Sequence, residues 1–164
     1  IKVRHMQDDL QLLENADRVS IFLICVQSRH GELCGSISNF YIEEPVEFFG
    51  ILDLVLKLDV LCTRLGRPMG TDPRFLSKQM RKTFEARELN ESLIPIKYNP
   101  FIQNRDRFIP LAINARETMV IEIFQRQFSS LQGRIKGKCS QEKSTSFRSA
   151  LELMRMLREY ENVR

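Results

Sequence analysis

The chain has no Cys-x-x-Cys pair, no GxxxxGK or GxGxxG loop, and only two histidines, His5 and His30, far apart in sequence. Each absence removes a class of chemistry. Without clustered Cys and His spacing there is no zinc ligand set. Without a glycine-rich loop there is no phosphate cradle, and Gly31, Gly35 and Gly50 do not form one. The carboxylates Glu43, Glu44, Asp53 and Asp59 are not set beside a base or cation as an acid/base constellation, and they read as solvated surface charges. No catalytic, metal-ligating or cofactor-binding residue is therefore expected, and no enzyme activity. Long hydrophobic runs are missing too. The longest, Ile51–Cys62, is broken by Asp53, Lys57 and Asp59, which argues against a membrane span. No apolar signal stretch follows Ile1–His5. A first residue other than Met suggests a chain trimmed from something longer. The four cysteines, Cys25, Cys34, Cys62 and Cys139, mostly have apolar neighbours and read as reduced, buried thiols of a cytoplasmic protein. A Cys25–Cys34 disulfide is the alternative.

What is present is a chain of 164 residues, 43% hydrophobic and 28% charged, enough to bury a core as one domain or two small subdomains and too apolar for disorder. It also repeats itself. Ser20–Gln27 lies over Thr118–Gln125, both strand-like runs ending in glutamine. Without a gap, Leu33-Cys-Gly35-Ser-Ile37 then falls on Leu131-Gln-Gly133-Arg-Ile135. One extra residue later, Phe48–Leu54 falls on Phe147–Leu153, and Leu58 on Leu157. A repeat this long points to an old duplication, not a solenoid. Each copy reads as strand, turn, strand, helix. The second helix follows the cap formers Ser144–Ser146, and Phe147, Ala150, Leu151, Met154 and Leu157 form its apolar stripe. The first begins near Pro45 and ends near Gly66, with Phe48, Ile51, Leu52, Val55 and Cys62 as its stripe.

The repeat assigns faces. In the second copy Met119, Ile121 and Ile123 point inward, while Glu122, Arg126, Arg134, Lys136 and Lys138 point outward. Carried over to the first copy, the outward positions become Ile24, Ser28, Ser36, Ser38 and Phe40, flanked by Phe22 and Val26. A face that greasy must be covered, by the middle segment, by the other copy or by another chain. Phe22, Ile24, Val26 and Phe40 are thus the expected protein-partner residues.

Between the copies, residues 64–116 carry eleven Lys/Arg and five Asp/Glu. Asp72-Pro73 opens an expected helix over about 73–89. Pro95, Pro100 and Pro110 make the remainder extended or looped, and Ile94, Ile96, Tyr98, Phe101, Ile102, Phe108 and Ile109 make it apolar enough to pack down. Residues 5–16 read as a short helix through Met6, Leu10 and Leu13. Net charge runs −2, −3, +6 and +3 over residues 1–17, 18–63, 64–116 and 117–164. Arg126, Arg134, Lys136 and Lys138, sharing a face with Phe124 and joined by Arg81 and Lys82 of the middle segment, form the candidate nucleic-acid surface, with cations for phosphates and a ring for a base. The same lysines serve equally well to solubilise a sheet face and blunt its edges. Gln27 and Gln125 read as strand-end amides bonded to their loops, or else as a shared polar contact. Gly35 and Gly133 read as bulges or close approaches.

Around Leu131-Gln-Gly133-Arg-Ile135 and Phe147-Arg-Ser-Ala-Leu-Glu-Leu-Met154 the chain resembles a group of small bacterial proteins with a W-Q-G strand followed by an F-R-S-A-L-E-L helix. Leu131 stands where that group has its aromatic. The resemblance implies a unit boundary and carries no function over to this chain.

The expectation is an α+β protein of two pseudo-twofold ββα units, residues 18–66 and 117–164, with helices on one side of antiparallel sheets. Residues 1–17 would form an arm and 67–116 a basic middle segment. The expected role is a non-enzymatic adaptor that engages a protein partner or a second copy of itself, with nucleic-acid binding as the alternative and no membrane contact.

Overall fold

The computed structural model describes residues 2–14, 19–88 and 105–163. In chain order the elements are α1 (Lys2–Glu14), β1 (Ile21–Ser28), β2 (Cys34–Ser38), β3 (Val46–Phe49), α2 (Ile51–Leu65), α3 (Lys78–Glu88), α4 (Ile109–Asn114), β4 (Glu117–Gln125), β5 (Gln132–Gly137), β6 (Thr145–Phe147) and α5 (Ala150–Asn162). The fold is α+β. All six strands join one antiparallel sheet in the order β3-β2-β1-β4-β5-β6, so the two expected sheets are one, joined through β1 and β4.

Each expected ββα unit carries a third strand. Val46–Phe49 and Thr145–Phe147 alternate inside and outside with period two, and each ends just before a helix. Pro45 therefore leads into a strand, and α2 starts only at Ile51, behind Gly50. Phe48 and Phe147 do not begin helical stripes. They lie on β3 and β6 directly opposite Gly35 and Gly133. A Cβ at Gly35 would collide with the Cys25 carbonyl, and one at Gly133 with the Glu122 carbonyl and with the Phe147 ring, 2.9 Å away. Gly133 thus leaves the space that cross-strand Phe147 fills, while Gly35 allows the close approach of the β1 backbone.

The helices lie on both sides of the sheet, not on one. Phe22, Ile24 and Val26 of β1 join Met119, Ile121 and Ile123 of β4 in the larger core, beneath α2 and α5. Ile21, Leu23 and Cys25 point the other way, into a smaller core with Val120, Met6 and Leu10 of α1, and Phe108 and Ala112 of the middle segment. Burial in this core raises the Cys25 thiol pKa to about 12, and all four cysteines are free. α4 also departs from the extended chain expected there, because Pro110 occupies its first turn, where its missing N–H costs nothing. Residues 89–104, including Ile94, Ile96, Tyr98, Phe101 and Ile102, lie outside the described residues, as do residues 15–17 at the end of the expected N-terminal arm.

Candidate interaction surfaces

The expected partner surface of the first half is interior. Phe22, Ile24 and Val26 are fully buried in the larger core. The register explains why. Val26 pairs with Gly35 and Ser28 with Cys34, so Gln27 is a bulge; Ile123 pairs with Gly133 and Gln125 with Gln132, so Phe124 is the bulge in β4. Val26 therefore matches Ile123, and not Phe124 as the ungapped alignment had it. A shift of one residue in a strand exchanges its two faces. Gln27 and Gln125 lose their equivalence for the same reason, and the Gln125 side-chain amide donates to Gln127 Oε1 at 3.2 Å.

The outward face of the first half does exist, but the chain covers it itself. Ser36 and Ser38 stand opposite Cys25 and Leu23 on the α1 side. Phe40 is half-buried, edge-to-face with Phe108 at 4.9 Å. Arg107 lies over the Phe108 ring and donates to the carbonyls of Asn39 (2.8 Å) and Ile42 (2.7 Å). Asn39 in turn donates to the carbonyls of Val19 and Ile21. These bonds saturate a turn that would otherwise leave buried carbonyls unpaired.

The basic residues do not share one face. Arg126 is buried and turned under the sheet toward α2, donating to Asp59 Oδ1 (3.0 Å), the Asp59 carbonyl, Thr63 Oγ1 (2.9 Å) and the Pro68 carbonyl (2.9 Å). Arg134 is on the outer face, paired through two nitrogens with buried Glu122 at 2.7 and 2.8 Å, its guanidinium 5.7 Å from the Phe124 ring. Lys136 borders a cavity of about 310 Å³ beside α1, with Leu12, Val120 and Glu142. Lys138 belongs to the opposite side, 3.3 Å from Glu117. Glu117 also accepts from the Tyr160 hydroxyl, and Arg29 ties this cluster to the C-terminal carbonyls of Tyr160 and Val163. Burial alone would raise the Glu117 pKa, but the Tyr160 and Lys138 bonds outweigh it and the net shift is downward. The cluster pins the end of α5 to the sheet.

What remains outside is the helical part of the middle segment, whose Arg81 and Lys82 the sequence offered for nucleic acid and not for a protein partner. Its root is fastened: Gly70 bridges to Arg126, and the Phe128 N–H donates to Thr71 Oγ1 at 2.8 Å. Beyond it, no residue from 71 to 87 is buried. α3 begins at Lys78 rather than near 73, because Ser77 Oγ accepts from the Met80 N–H and acts as the cap. Phe75 and Phe84 pack together at 5.2 Å, and Arg81 closes over Phe75 while donating to Asp72 and the Pro73 carbonyl. This small cluster belongs to the projecting segment 69–88 itself, an arm distinct from the N-terminal residues. Leu76 is 92% exposed, Met69 82% and Met80 50%, and Lys78 and Lys82 stand free of the sheet as exposed side chains.

No family model, curated protein or solved structure matches this chain. Its surfaces are therefore read on their own chemistry. Among the described residues no group of three His, Cys, Asp or Glu could hold a metal ion, and no helix is long and apolar enough to cross a membrane.

Proposed function

We propose that this chain is a cytoplasmic, non-enzymatic binding or adaptor protein that meets a protein partner through the projecting segment 69–88. The outer face of the first half is not the surface, since the chain covers it. The observation that carries the proposal is the arm itself. Large apolar side chains left open to water on a rooted, self-packed helix carry an unfavourable hydration free energy that a covering partner removes. A helix laid on a partner groove through spaced apolar anchors is a common recognition mode.

The proposal includes descent from two diverged copies. The sheet order reads the same outward from its centre, and Gly35–Phe48 and Gly133–Phe147 are matched cross-strand pairs. Asp53 accepts from the Phe49 N–H at 2.9 Å, and Glu152 accepts from the Arg148 N–H at 2.7 Å, each four residues on. These matches support the duplication once the extra residue in the second hairpin turn is counted. The resemblance to the W-Q-G group belongs to the same proposal.

The test is photo-crosslinking in cell extract from a probe at Met80, with a probe at Leu151 on α5 as control. Discrete, nuclease-resistant adducts from Met80 alone are expected. No adduct would defeat the reading. Adducts that vanish with nuclease would favour nucleic acid instead, bound along Lys78, Lys82 and Arg87 of the arm.

A further inference from the structure

The β3 edge of the sheet carries a second exposed surface of complementary character. The edge strand β3 and the turn before it present Glu43, Glu44 and Glu47 to solvent. Beside them lie Phe49, 65% exposed, and Leu52 and Leu56 on the outer face of α2, 62% and 56% exposed. Lys57 joins helix to edge, donating to the Glu47 carbonyl at 2.7 Å and to Asp53 at 2.9 Å. At the other end of the sheet, the positions before and along α5 that correspond to Phe49 and Leu56 are Arg148 and Arg155. Of the three positions only Leu151, which matches Leu52, is apolar and exposed there, so the three-residue patch belongs to the β3 end.

An open edge strand with three adjacent apolar side chains is normally covered or blunted. Its acidic border is the negative of the arm. Residues 67–88 carry six Lys/Arg and three Asp/Glu, with Leu76 and Met80 among them. Opposite charge around paired apolar patches fixes register and speeds encounter.

From this complementarity, and resting on the reading of the arm as the contact element, we infer that the arm's occupant is a second copy of this chain. Leu76 and Met80 of one copy lie on Phe49, Leu52 and Leu56 of the next. Lys78 and Lys82 lie two residues to either side of Met80 and so on the far side of α3, and their positive charge draws the arm toward the Glu43, Glu44 and Glu47 border. The contact joins two different patches. It is therefore heterologous, and it closes into a ring or runs on as a chain.

The experiment is sedimentation velocity on the purified full chain and two charge-reversal variants, alone and mixed. One variant carries Lys78→Glu and Lys82→Glu, the other Glu43→Lys, Glu44→Lys and Glu47→Lys. The wild type associates, and more strongly at low salt. Each variant alone associates at least about tenfold more weakly. Mixed, they recover a heteromer, because the acidic arm of one meets the basic edge of the other; that recovery also shows both are folded. A wild type that stays monomeric, or association that neither variant alters, overturns the inference. A monomeric wild type whose Met80 probe still captures a different protein in extract would leave the arm as a contact element and remove only its self-association. No capture at all would remove the arm.

Discussion

At the residue scale the fold depends on positions with no room to change. A methyl group at Gly133 meets the Glu122 carbonyl and the Phe147 ring, so Gly133→Ala is expected to cost roughly 1–3 kcal/mol, read from the urea midpoint. Arg126 holds the arm's root to α2 through four acceptors. Arg126→Ala should cost roughly 2–3 kcal/mol and speed proteolysis near Pro68–Thr71. Asp9 is the titrating position. Burial raises its pKa from 3.8 to about 6, against the opposing bond from Thr118 Oγ1 at 2.7 Å; Glu142 and Asp8 add to the rise and Lys136 opposes it. A folded carboxyl with a raised pKa binds protons that the unfolded chain has released between about pH 4 and pH 6. Stability at this site therefore falls as pH rises through that window, by up to about 3 kcal/mol, and stays lower above it. Asp9→Asn keeps an acceptor for Thr118 and removes the charge. It should raise stability at pH 7.5 and flatten the fall, measured by denaturation at pH 4.5 and 7.5.

At the scale of elements, the strands, their glycines and the inward face of the second half were legible in the sequence, and the faces of the first half were not. Alternation in Gln132–Gly137 and the apolar run of β1 announced strands, and Gly66, with φ 71, closes α2 where its position foretold. The turn between Gln125 and Gln132 is one residue longer than that between Ser28 and Cys34, which moves the alignment of β1 by one, and the bulge at Phe124 sends Arg126 to the other face; neither leaves a mark in composition. The missing third strands have a similar cause. Four residues such as Val46–Phe49 suit the first turn of a helix as well as a short edge strand, and only Gly35 opposite Phe48 decides between them. Arg126 looked like a surface cation because nothing local reveals that Asp59 and Thr63 of α2 lie within its reach. The arm is the element whose energetics stand apart. Leu76→Ser with Met80→Ser should leave global stability within about 0.5 kcal/mol. Phe84→Ala should lower α3 helicity in amide exchange without moving the main unfolding transition, since its ring packs on Phe75 and not on the core.

For the whole molecule, one sheet with helices on both faces leaves little of itself to offer a partner. α2 and α5 cover one side, and α1, α4 and the Arg107–Phe108 turn cover much of the other. What stays open is peripheral: a cationic arm at one place and an acidic, apolar edge at another. Phe22→Ala is expected to cost about 3–5 kcal/mol as a cavity in the larger core, an effect on folding and not on a contact. The most direct measurement is carbene footprinting of the purified chain at high dilution, read by residue. The account predicts that Phe22, Ile24 and Val26 are protected as fully as Leu54 and Leu58, while Leu76, Met80, Phe49 and Leu52 label strongly. Strong labelling of Phe22 and Ile24 with a protected arm would contradict it.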